Sequence, residues 1–160
     1  MKILITLLFI MFIHSEDSED DLYDPVRITN AILGLKDQYP EGYPWTNDDC
    51  YIWRIDVTSP LPPPFCKTYK GCGCVAFAML ASDTTFGSIP VYNFTDKSQI
   101  RIGDILRVDD DTHSVIVIED LGNNKYRIAE GNYEHSIHYG RVIDIEKSEF
   151  RYGLTRYPPQ

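Results

Sequence analysis

The sequence has few cations, few cysteines and almost no long apolar run, and each shortage excludes something. The longest apolar stretch, Ile3 to Ile13, holds eleven residues and is interrupted only by Thr6. That is too short to cross a bilayer as a helix. With Lys2 before it and Ser15 after it, it reads as a secretory signal over residues 1–15. No stable membrane insertion is expected of the mature chain. Lys and Arg number 15 against 24 Asp and Glu, for a net charge of −9. Six of the carboxylates lie between Glu16 and Asp24. A run of this kind repels itself, so residues 16–27 are expected to form a disordered acidic arm. The remaining domain is mildly acidic and lacks clustered cations, which argues against nucleic acid as a partner. There is no internal repeat, and Leu61-Pro-Pro-Pro64 reads as a short extended loop.

The chain of 160 residues suggests one domain, expected over 28–158. Ile28, Ile32 and Leu35 have helical spacing, and Pro40 stops the pattern, which predicts a helix over Ile28 to Tyr39. Residues 40–72 read as loop, with one helical turn around Asn47 to Trp53. Gly73 opens a second helix, Cys74-Val-Ala-Phe-Ala-Met-Leu-Ala81. It is apolar on every side and is expected to be buried all round, ending among Asp83, Thr84, Thr85 and Gly87. From Ile100 the pattern changes to strands: 105–108, 114–118, 125–129 and 137–145, with turns at Asp109–Asp111 and Gly122–Asn124. Short turns between successive strands imply an antiparallel sheet, and helices followed by a sheet imply an α+β fold.

Four cysteines are present: Cys50, Cys66, Cys72 and Cys74. A secreted chain can keep disulfides. Cys72 and Cys74 are too close to pair comfortably with each other, and the spacing leaves the pairing of the others open. Cys74 sits where a helix begins, and a helix N-terminus stabilises thiolate, the reactive form. Gly71 and Gly73 are expected to leave backbone room for a substrate. His113 opens the strand 114–118, and Glu130 and Asn132 close the next one. Residues two apart in a strand share a face. A hairpin centred near Gly122 puts His113 opposite position 131, so Glu130 and Asn132 are both expected beside the imidazole. Either one would orient it, as the third member of a triad does. Cys72 is a competing nucleophile, and Cys72, Cys74, His135 and His138 form a competing metal set, although Cys-x-Cys is not the usual zinc spacing. Asp109 to Asp111 lack the glycine of a calcium loop. No cofactor is implied. Asn93-Phe-Thr95 is a glycosylation sequon.

The stretches Gly71-Cys-Gly-Cys74-Val-Ala-Phe-Ala, Ile102-Gly-Asp-Ile-Leu106, His113-Ser-Val-Ile-Val-Ile-Glu119 and Ile128-Ala-Glu130-Gly-Asn132-Tyr resemble the cysteine, histidine-dependent amidohydrolase/peptidase family. That family is related to the NlpC-type peptidases within the papain-like fold. The resemblance spans residues 71 to 133 and does not reach the loop 54–70. It implies Cys74 as nucleophile, His113 as base, Glu130 as orienting acid and Asn132 as a supporting polar residue. The implied partner is a peptide or amide substrate, including cell-wall peptide. Two other readings use the same residues: a catalytically silent secreted binding module, and an acyltransferase with an amine in place of water.

Overall fold

The computed structural model describes residues 19–55 and 68–159. The signal segment, the start of the acidic arm, the proline run and Cys66 lie outside them. Over the described residues the fold is α+β, in the order α1 (Glu19–Leu22), α2 (Pro25–Gly34), β1 (Cys50–Arg54), β2 (Thr68–Cys72), α3 (Cys74–Phe86), β3 (Tyr92–Phe94), β4 (Ile105–Val108), β5 (His113–Gly122), β6 (Lys125–Tyr133), β7 (Ser136–Asp144) and β8 (Tyr152–Thr155). Six strands form an antiparallel sheet in the order β3-β8-β4-β5-β6-β7, and β1 and β2 form a separate two-stranded sheet. Among the described residues, no helix is long and apolar enough to cross a membrane.

The acidic arm departs from its expected disorder. From Glu19 the chain is helical, and α2 starts at Pro25. The cause is local: Asp24 caps the helix by accepting from the Arg27 amide at 2.7 Å, and Pro25 fits the first turn, where its missing N–H costs nothing. Packing holds the segment as well. The Arg27 guanidinium donates to the carbonyls of Leu22 and Thr85, both at 3.1 Å, and Tyr23 stacks on Tyr157. The domain therefore begins before residue 28. The predicted helix ends earlier than Tyr39; its last residues, Leu35–Asp37, tighten into a 3-10 turn.

The segment 40–72 is not simply loop. β1 pairs with β2, with Cys50 opposite Cys72, and a disulfide joins those two residues. The expected helical turn at Asn47 to Trp53 is mostly strand, because it pairs with β2, which is distant in sequence.

Helix α3 is central. Ala76, Phe77, Ala78, Met79 and Ala81 are fully buried against β5, β6, β1 and α2. It ends at Phe86 with Gly87 at its C-cap, within the expected Asp83 to Gly87. Asp83 stays inside the helix because its carboxylate is fully paired. It accepts from Arg156 Nη2 at 2.6 Å, the Arg54 amide at 2.9 Å and the Tyr51 hydroxyl at 3.0 Å. Alternation along β5 divides the core. Ile116 and Ile118 pack with α3, whereas Val115 and Val117 join Leu106, Val108, Ile128 and Ile143 in a second cluster.

Candidate active site

Cys74 is the first residue of α3, and Gly73 caps the helix with φ 66° and ψ −134°, a conformation open to glycine. The segment before β1 wraps this helix start. The Gly73 amide donates to the Asp49 carbonyl, and Trp45 Nε1 donates to the Gly73 carbonyl, both at 2.9 Å. A Cβ on Gly73 would lie 2.5 Å from Asn47 Oδ1 and 3.0 Å from Asn132 Nδ2. Gly71 serves packing rather than substrate access, since a Cβ there would meet Met79 at 2.4 Å and Val75 at 2.7 Å.

His113 opens β5, opposite Val108 of β4. Its ring lies beside the Cys74 thiol, close enough for the two groups to interact electrostatically. The thiol sulfur also lies 4.0 Å from the carbonyl oxygen of Thr112. His113 Nε2 lies 2.7 Å from Glu130 Oε2, which leaves Nδ1 as the nitrogen available to the sulfur. Glu130 has no exposed side-chain surface, and its charge is met by Arg141 as well as His113.

Electrostatics follow from these contacts. Burial pushes the Cys74 thiol up, but the neighbouring His113 imidazole, the Ser114 amide and the Arg107 charge outweigh it and hold the thiol below its ordinary value. Burial works against a proton on His113, yet its interactions with Cys74 and Glu130 win and raise it to about 9. Burial likewise opposes charge on Glu130, and Arg141 and His113 reverse that, keeping the carboxyl below the usual range. Together these shifts favour a thiolate beside an imidazolium at neutral pH.

Asn132 is not at the imidazole. It adopts φ 59°, and its Nδ2 donates to Asn47 Oδ1 at 2.7 Å. The β6–β7 register is irregular between Glu130 and Tyr133, so the strand alternation that predicted a shared face stops after Glu130. The hairpin register is also one residue away from the expected one. Ile116 lies opposite Ala129, and the ladder shifts between Val117 and Glu119 and again between Asp120 and Gly122.

Cys72 is bonded to Cys50, which removes it as a competing nucleophile and as a thiolate metal ligand. Among the described residues no group of three or more His, Cys, Asp or Glu is placed to hold a metal ion. His138 is instead held between Ser136 Oγ at 2.9 Å and Glu41 Oε1 at 2.7 Å.

Sequence reasoning missed Asn47 and Arg141. Asn47 lies in the segment read as loop with one helical turn, and nothing local singles it out from its neighbours. Arg141 was hidden in a strand whose other residues carried the pattern. The Tyr133 ring lies over its guanidinium, 4.6 Å from the carbon, and 6.2 Å from the His113 ring. Compared with known proteins, the chain matches no family model, no curated protein and no solved structure.

Proposed function

We propose that this protein is a secreted cysteine amidohydrolase or peptidase with a papain-like arrangement, acting on a peptide or related amide. One observation carries the reading: a thiol at a helix N-terminus, an imidazole beside it that interacts with it electrostatically, and a buried carboxylate 2.7 Å from one nitrogen of that imidazole. Nucleophile, base and orienting group stand in line, on three different elements.

In the first step the Cys74 thiolate attacks the amide carbon. The C–N bond then breaks, and the leaving amine takes the proton from the His113 imidazolium, leaving a thioester. Water next gives a proton to His113 and attacks the thioester, and the C–S bond breaks to release the acid and restore the thiolate. The Cys74 amide, at the first helical position, has no intrahelical acceptor and is a suitable oxyanion donor. Asn47 supports the same role. Its Oδ1 is engaged by Asn132, so its Nδ2 is the end left to donate. The disulfide and the absence of a membrane-length helix among the described residues are compatible with an extracellular site.

The test begins with the thiol. At pH 6 iodoacetamide is expected to alkylate Cys74 severalfold faster in the folded protein than in guanidinium. The folded protein is then incubated with a peptide library and the products are read by mass spectrometry. Cleavage that Cys74→Ala abolishes is the expected result, and products carrying an added amine would point to acyl transfer. An unreactive Cys74 with no Cys74-dependent product would sink the enzyme reading and favour the binding module.

A further inference from the structure

Glu130 is a fully buried carboxylate that carries three short contacts. Arg141 Nε donates to Oε1 at 2.6 Å and Arg141 Nη2 donates to Oε2 at 2.6 Å, while His113 Nε2 shares Oε2 at 2.7 Å. Arg141 comes from β7 and keeps 31% of its side chain exposed, whereas Glu130 keeps none. We propose that Arg141 is a positioning residue, which locks the plane of the Glu130 carboxylate and limits how strongly that carboxylate holds the His113 imidazolium. The proposal rests on the enzymatic reading of Cys74 and His113 given above.

The argument begins with geometry. A carboxylate bonded only to an imidazole can rotate about its last torsion and choose either oxygen. A guanidinium that grips both oxygens removes that freedom, because its N–H groups form a rigid fork. The side chain of Arg141 is itself fixed by Tyr133, whose ring lies 4.6 Å from the guanidinium carbon. Oε2 is then the only oxygen facing His113, and the imidazole plane is set by a group two contacts away from the sulfur.

Charge gives the second part. The groups that face this centre are Cys74 from α3, Arg107 from β4, Asp109 from the following turn, Glu130 and Tyr133 from β6, and Arg141 from β7. Cys74 and Glu130 favour the imidazolium. Arg141 opposes it twice, by repelling a like charge and by taking part of the carboxylate's field. Removing the guanidinium therefore lets His113 hold its proton to higher pH. The shift expected from one partly screened charge at this range is about one pH unit. A buried arginine pair that served stability alone would leave the titration of the ring where it is.

The experiment is an NMR titration of the imidazole Cε1–H signals in protein labelled at histidine, with His113 assigned by its loss in His113→Gln. Wild type, Arg141→Met and Arg141→Lys are compared between pH 5 and pH 11. In wild type the ring is expected to titrate near 9. Arg141→Met is expected to move that midpoint up by about one unit. Arg141→Lys, which keeps charge but cannot span both oxygens, is expected to move it the same way by about half as much. If Arg141→Met fails to fold, Arg141→Lys alone decides. A wild-type ring titrating as an ordinary histidine would overturn the enzymatic reading. A wild-type midpoint near 9 that neither variant moves would overturn the role of Arg141 and leave that reading standing.

Discussion

Asn132 Nδ2 donates to Asn47 Oδ1 across 2.7 Å, so an amide that the strand pattern put beside His113 instead braces the start of the helix that carries Cys74. The two candidates for orienting the imidazole thus have separate tasks. Glu130→Gln replaces a charged acceptor of the imidazolium with a neutral amide and is expected to lower turnover about 10²- to 10⁴-fold with the fold intact by circular dichroism. Asn132→Ala is expected to cost less and to leave the titration of His113 unchanged. Its effect should not add to that of Asn47→Ala, because either change breaks the same bond. Equal damage from Asn132→Ala and Glu130→Gln, with His113 displaced in both, would contradict this division.

The Cys50–Cys72 bridge closes a loop across a sequence separation of 22. Loop-closure entropy gives such a bridge about 3 kcal/mol of stability. The double change Cys50→Ala, Cys72→Ala is expected to lower the free energy of urea unfolding by about that amount. It should also slow Cys74-dependent turnover, because the bridge fixes the strand that leads from Asn47 toward Gly73. A loss below about 1 kcal/mol would show that β1 and β2 stay paired without the bond.

Asp104 predicts an unusual pH response. Its side chain is fully buried at the entry to β4. Oδ2 accepts from the Arg101 amide at 2.8 Å, and Oδ1 has no partner. Burial pushes the carboxyl up to about 7, against the pull of Thr155 and Arg101. The folded protein therefore binds a proton that the unfolded chain has already released. Stability from this group is full below about pH 4, falls as pH rises, and levels off above about pH 7. The total change is roughly 4 kcal/mol. Asp104→Asn is expected to remove that slope, as read by urea unfolding at pH 5 and pH 8. Parallel pH profiles for wild type and variant would mean that the carboxyl finds a partner in solution.

The legible parts of the fold were the local ones. Asn123 and Asn124, both at positive φ, sit between the β-branched run 114–118 and the strand stretch 125–129, so the β5–β6 hairpin could be read from its own residues. His113 and Glu130 belong to that hairpin, which is why their meeting was foreseeable. β1 was not readable. Ile52 is largely exposed while Trp53 is buried, and the partner strand β2 lies beyond a long intervening segment. Asn132 misled because a left-handed residue breaks strand alternation, and asparagine is a residue that adopts that conformation readily. The cap at Asp24-Pro25 was legible but lost beneath the charge run around it.

Cys72 and Cys74 are separated by one glycine, and only the first is bridged to Cys50. In an unfolded chain the loop entropies of Cys50–Cys72 and Cys50–Cys74 differ by less than about 0.1 kcal/mol. Chain statistics therefore do not choose between them during oxidation. The choice falls to the β1–β2 register, which sets Cys50 opposite Cys72. A chain oxidised before those strands pair would hold both of these isomers, identical in mass, among its products. One leaves the Cys74 thiol free, and the other locks its sulfur in a bond. The idle Cys72 thiol of the second isomer lies two residues from that bond and can attack it, so the dead form carries the means of its own repair as long as some thiolate persists. Acidification during oxidation would freeze the mixture, and the yield of active molecules would then record the order in which pairing and oxidation took place.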